Sequence, residues 1–176
     1  MKELIERLQK RLVDAKFPTG VEPTRKNDRL FEYVDLDWGQ VDFYQDLPPV
    51  KFPAALIDID SVSYGNLGNG TQQAIVNIQV RIIELTLSAG GGRAPQELKK
   101  RADRVFDLVN EANKLLHLWT DGDTFGPLTR ISLEKVNRRD GLKEYRLVYQ
   151  ARVYDESAKK ERETVQASPV IKGRLY

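Results

Sequence analysis

The chain has 176 residues, of which 40% are hydrophobic and 31% charged, a balance that suits a single globular domain. A formal net charge of +2 is too small to announce a general nucleic-acid or membrane-surface binder. The lack of any cysteine excludes disulfides, thiol chemistry and cysteine-based zinc sites.

Charge is nevertheless unevenly placed. Residues 28–60 carry eight acids against two bases, whereas residues 93–176 carry eighteen bases against thirteen acids. Such a division suits head-to-tail self-association, and equally two solvated faces. The first residues, Met1 to Leu8, are charged and helical in pattern rather than an apolar signal core. Apolar runs are too short to cross a bilayer, so a cytosolic protein is expected.

In chain order, residues 2–16 predict a first helix. Leu4, Ile5, Leu8, Leu12 and Val13 form one stripe, with Lys2, Glu3, Glu6, Arg7, Lys10 and Arg11 around it. Phe17-Pro18-Thr19-Gly20 ends it, because the residue before proline disfavours helix and glycine follows. Leu30 to Tyr44 mixes aromatic and aliphatic residues with Glu32, Asp35, Asp37 and Asp42. Its partial alternation predicts short edge strands or a hairpin turning at Trp38-Gly39-Gln40. Three prolines make Leu47 to Pro53 extended, and it leads into a short strand over Ala54 to Asp60. Tyr64 to Gly70 reads as a loop by composition.

A long strand follows from Gln73 to Leu87. Val76, Ile78, Val80 and Ile82 share one face, and then the phase flips to Ile83, Leu85 and Leu87. This flip predicts a β-bulge, or a strand whose second half faces another surface such as a second subunit. After Gly90-Gly91-Gly92, Pro95 to Leu118 predicts the longest helix. Leu98, Ala102, Val105, Val109, Ala112, Leu116 and Trp119 make its apolar stripe, and it would run roughly 35 Å. Leu128 to Val136 and Leu142 to Tyr154 predict a closing hairpin around Asp140-Gly141, with Tyr145, Leu147, Tyr149, Ala151 and Val153 inward. Residues 156–176 are a charged extension beyond a core of residues 1–155. The predicted fold class is α+β: a mainly antiparallel, twisted sheet of four or five strands with two helices packed on one face.

Residues able to do chemistry are sparse. His117 is the lone histidine. It reads as a general base or ligand, or as a polar residue at a helix C-terminus, where a cation suits the dipole. Asp58 and Asp60 share a strand face and offer oxygen ligands for a divalent cation, the basis of a nuclease-like alternative. The Gly90–Arg93 loop has the strand-to-helix setting of a phosphate cradle but lacks the P-loop Lys-Ser/Thr. No catalytic residue, metal or cofactor is assigned. Basic patches occur at Lys99, Lys100, Arg101 and Arg104 and at Arg138-Arg139 on the hairpin.

The order of these features resembles the tail-terminator or tail-completion proteins of long-tailed bacteriophages. The resemblance rests on helix Lys2–Lys16, the proline stretch Leu47–Pro53 running into Ala54–Asp60, strand Gln73–Leu87, the glycine link into Pro95–Leu118, and the closing strands. It covers residues 1 to about 155 and is architectural, without a catalytic signature. It implies a structural virion protein, assembled in the host cytoplasm as a ring, commonly a hexamer, at the head–tail junction. Its partners would be further copies of itself, the tail-tube protein and head-connector or neck proteins. Nucleic acid would pass only through the ring lumen. A neck or head-completion adaptor is the alternative within the same class. On this reading the subunit contact draws on Lys99, Lys100, Arg101, Arg104, Arg138 and Arg139 facing Asp35, Asp37 and Asp42 of a neighbour, with Trp38, Ile83, Leu85 and Leu87 supplying apolar contact.

Overall fold

The computed structural model describes residues 1–18, 28–43, 50–86 and 92–159. Its elements are α1 (Lys2–Val13), β1 (Tyr33–Leu36), β2 (Ala54–Gly68), β3 (Thr71–Leu85), α2 (Gln96–Leu116), β4 (Thr129–Val136) and β5 (Leu142–Asp155). The five strands form one sheet in the order β1-β2-β3-β5-β4. Only β1 and β2 run parallel; the other three pairings are antiparallel. The expected α+β class, with both helices on one face, holds.

The main core lies between that face and the helices. Leu4, Ile5, Leu8 and Leu12 of α1 and Leu108, Val109, Ala112 and Leu116 of α2 pack on Ala55, Ile57, Val76, Ile78, Val80 and Ile82, and on Leu147, Tyr149, Ala151 and Val153 of β5. Each is the residue that helical or two-residue periodicity turns inward. Large side chains so buried contribute about 1.5–3 kcal/mol each before entropy is counted. Arg11 joins the helices at their ends: its Nε donates to the Leu115 carbonyl at 2.7 Å, and its guanidinium lies 4.6 Å from the centre of the Trp119 ring.

Two expectations need correction. Residues 64–68 are not loop but the end of β2, and the reversal falls at Asn69-Gly70. Those residues have φ of 54° and 77°, the left-handed pair that a tight hairpin turn needs to match strand twist. The second concerns the phase flip at Ile82–Ile83. Pairing runs unbroken through it on both sides of β3, so no bulge exists there. The sheet is instead buried on both faces at this end. Ile82 faces the helices, while Ile83 faces a smaller second core with Val41, Val50, Ala54 and Leu56, edged by Tyr33, Phe52 and Leu142. Residues 33–43 take the first of the two expected forms: β1 is a short edge strand, parallel to β2, and the turn at Trp38-Gly39-Gln40 leads back over the sheet rather than into a hairpin.

Candidate functional site

The second core is roofed by a cluster of ionic side chains. Arg81 projects from the middle of β3 on the face away from the helices and is 4% exposed. Its Nε donates to Glu144 Oε1 at 2.7 Å and its Nη2 to Glu144 Oε2 at 3.0 Å. This is the bidentate fork that guanidinium and carboxylate geometry favour. Its Nη1 donates to Asp37 Oδ2 at 2.6 Å and to Asp42 Oδ2 at 3.0 Å. Arg138 closes the cluster from the β4–β5 turn. It donates to Asp42 at 2.7 Å, Glu144 at 2.9 Å and Asp140 at 2.6 Å. Arg146 adds a contact of 3.3 Å to Glu144.

Local sequence positions each member. Alternation places Arg81 and Ile83 on the same face of β3, and pairing sets Glu144 directly opposite Ile83. Asp37 and Asp42 flank a turn in which Gly39 has φ of 87°. Buried Gln40 ties that turn: its Oε1 accepts from the Trp38 N–H and its Nε2 donates to the Leu36 carbonyl.

Electrostatics follow from burial and pairing in competition. Burial pushes the Glu144 and Asp42 carboxyls up, but the hydrogen bonds and charges of Arg81 and Arg138 outweigh it and hold both below their ordinary values. The hydrogen bond from Arg138 lowers Asp140 in the same way. Burial works against the charge on Arg81, and the bonds to Glu144, Asp42 and Asp37 more than restore it. Arg81, Glu144, Asp42 and Asp140 are therefore charged at neutral pH. Mutually satisfied ion pairs of this kind hold the turn, β3 and the β4–β5 turn in fixed relation.

The structure separates the expected interface residues. Asp37, Asp42 and Arg138, expected to meet across subunits, meet within one chain, because the turn over the sheet carries the acids to the basic hairpin. Asp35 accepts from the Tyr33 hydroxyl at 2.9 Å. Arg104 is not on the outer face of α2; it turns toward the sheet, 3.8 Å from Glu84 and over the Phe17 ring. Lys99 Nζ donates to the Gly92 carbonyl, and Lys100 lies 3.5 Å from Glu97. Arg101 and Arg139 are exposed, as are Trp38 and Leu85. Ile83 is fully buried in its own chain, where the second core supplies the cover expected from another subunit. Leu87, Gly90 and Gly91 lie outside the described residues.

The other candidates also find places. His117 caps the C-terminus of α2, where its Nδ1 accepts from the Arg130 N–H at 3.2 Å. Asp58 and Asp60 are exposed on β2, and no group of three or more acidic or histidine side chains able to hold a metal occurs among the described residues. No described helix is long and apolar enough to cross a membrane. The Arg81–Glu144 pair was missed by sequence reasoning, although Arg81, a charge inside the apolar run Val80 to Ile83, was its visible signal.

Comparisons with known proteins add little. No family model matches the chain, and no curated protein does. Among solved structures, a chain in the virion of a native gene transfer agent particle is similar over 69% of this chain and 78% of its own, at 11% identity and a TM-score of 0.43.

Proposed function

We propose that this chain is a structural component of a phage or prophage virion, a ring-forming protein of the tail-terminator or tail-completion type acting at the head–tail junction. One observation carries the reading. Among the described residues no strand covers the β4 side of the sheet or the later part of β2, while one end of the sheet is packed on both faces. Uncovered edges of this length are aggregation hazards in a monomer and joining surfaces in an assembly. The order α1, β2, β3, α2 and the closing strands β4 and β5 also agrees with the one the sequence resemblance implies. On this reading the chain catalyses nothing. It presents one side to the tail tube and the other to connector or neck proteins. The ionic cluster makes each subunit a rigid block before assembly.

The test is mass photometry and light scattering over a range of concentrations at low and high salt, with negative-stain imaging of any assembly. A closed ring of defined size is expected. A strict monomer at high concentration and low salt overturns the reading.

A further inference from the structure

We infer that copies of this chain join edge to edge, with β4 of one copy adding to the β2 edge of the next as an antiparallel pair. This rests on the ring-forming reading above and names the surface that would make the ring.

The two edges are long and unpartnered. β1 covers β2 only from Ala54 to Ile57, so from Asp58 to Gly68 no described strand lies on the outer edge of β2. At the other side of the sheet no described strand lies on the outer edge of β4, whose Arg130 N–H alone is taken up among the described residues, by His117. The unpaired part of β2 is long enough to take the whole of β4. The neighbour's β4 would continue the line that β1 begins along β2.

Charge distinguishes the possible pairings. The β2 edge carries Asp58 and Asp60, both exposed, and no base between Ala54 and Gly68. The β4 edge carries exposed Arg130, Lys135 and, just beyond, Arg139, against the single acid Glu134. A two-fold pairing of β4 with β4 sets bases against bases, and of β2 with β2 sets acids against acids. Only β4 on β2 joins opposite charges, and that contact is heterologous, the kind that propagates into a ring or filament.

Apolar surface agrees. On the helix side of the sheet, Leu133 of β4 is 47% exposed and Tyr64 of β2 is 54% exposed. Pairing the edges sets these side chains beside one another. Direction agrees as well. β2, β3, β5 and β4 alternate in direction, so β4 runs opposite to β2. Rotation about an axis along the strands preserves that relation between copies and makes the joint antiparallel, the more stable ladder.

The full chain without cysteine gives a clean background for cross-linking. Ser63 and Ser132 project on the same sheet face, away from the helices, one from each edge. A chain with both Ser63→Cys and Ser132→Cys, treated with a short bifunctional maleimide, is expected to give a ladder of covalent oligomers. Either single variant alone gives monomer, and a mixture of the two gives dimer only. Self-linking by a single variant, or an oligomer by light scattering with no ladder, overturns the edge pairing and leaves the ring reading standing; a strict monomer removes both. Charge reversal is the second arm. Asp58→Lys with Asp60→Lys is expected to weaken assembly at least tenfold, and adding Lys135→Glu with Arg139→Glu, the bases that an antiparallel pairing of Leu133 with Tyr64 brings to those aspartates, to the same chain to restore it. Failure of that restoration, with each variant folded by circular dichroism, also overturns the proposal.

Discussion

Arg81 is the residue on which the second core depends. It is buried in β3 with three carboxylates drawn to it, and Glu144 beneath it is fully buried. Removing the guanidinium while leaving the carboxylates strands a buried negative charge. Arg81→Met is therefore expected to cost about 3–5 kcal/mol, the range for breaking one side of a buried ion pair. Urea denaturation of the variant against the parent chain measures this. A loss below about 1 kcal/mol would mean that water reaches Glu144. Arg139, exposed and with only a neighbouring part in the fold, serves as the control, and Arg139→Met is expected to change stability by less than about 0.5 kcal/mol.

At the scale of an element, α2 shows how a helix end is set against propensity. The helix closes at His117, and Leu118 adopts φ of 63°, a left-handed conformation that costs an L-residue roughly 1–2 kcal/mol. The surrounding chain holds it there. Leu118 N–H donates to the Leu128 carbonyl at 2.7 Å, and Leu128 N–H donates to Trp119 at 2.9 Å. The leucine side chain is exposed, so little packing is lost with it. Leu118→Gly is expected to raise stability by about 0.5–1 kcal/mol, the relief of strain less the greater freedom of glycine in the unfolded chain. Thermal melting checks the sign. A lower melting temperature would show that the Leu118 side chain contributes contacts that outweigh the backbone strain.

For the molecule as a whole, the ionic cluster sets the response to acid. The folded values of Asp42, Asp140 and Glu144 lie below their ordinary values of 3.8, 3.8 and 4.5. Groups lowered by folding contribute stability that is fully present above the ordinary range and is lost as pH falls through the lowered folded values. Stability from this source should be level from neutral pH down to about 5 and should fall below about pH 4. Urea midpoints across that window, read for the parent chain and for Glu144→Gln, provide the test. A parent chain whose midpoint falls no more steeply than that of the variant would show that Glu144 does not carry the effect. Because the cluster clamps residues 37–43 to the β4–β5 turn, the same acidification is expected to loosen that turn.

Much of this architecture was legible from residue order. The stripes of both helices, the inward set on β5 and the two charged-versus-apolar faces of β2 follow from periodicity, because each side chain needs only its own backbone geometry to find its side. The Asn69-Gly70 turn was not read, because the loop-like composition of residues 64–70 hid the end of β2. What periodicity could not decide was where Arg81, Asp37, Asp42, Arg138 and Glu144 would go. They come from three separate stretches, and only the strand order β2-β3-β5 and the fold-back of residues 37–43 bring them within hydrogen-bond reach. The flip at Ile82–Ile83 is the same lesson in apolar form. Its alternation states that both faces are apolar, and only the tertiary structure shows that the chain itself covers the second one. The sequence by itself determined which side chains avoid water and which sign of charge each region carries, since both are local properties. The tertiary structure decided which of those charges are satisfied within the chain and which stay exposed on β2 and β4, because pairing depends on distances between segments remote in sequence.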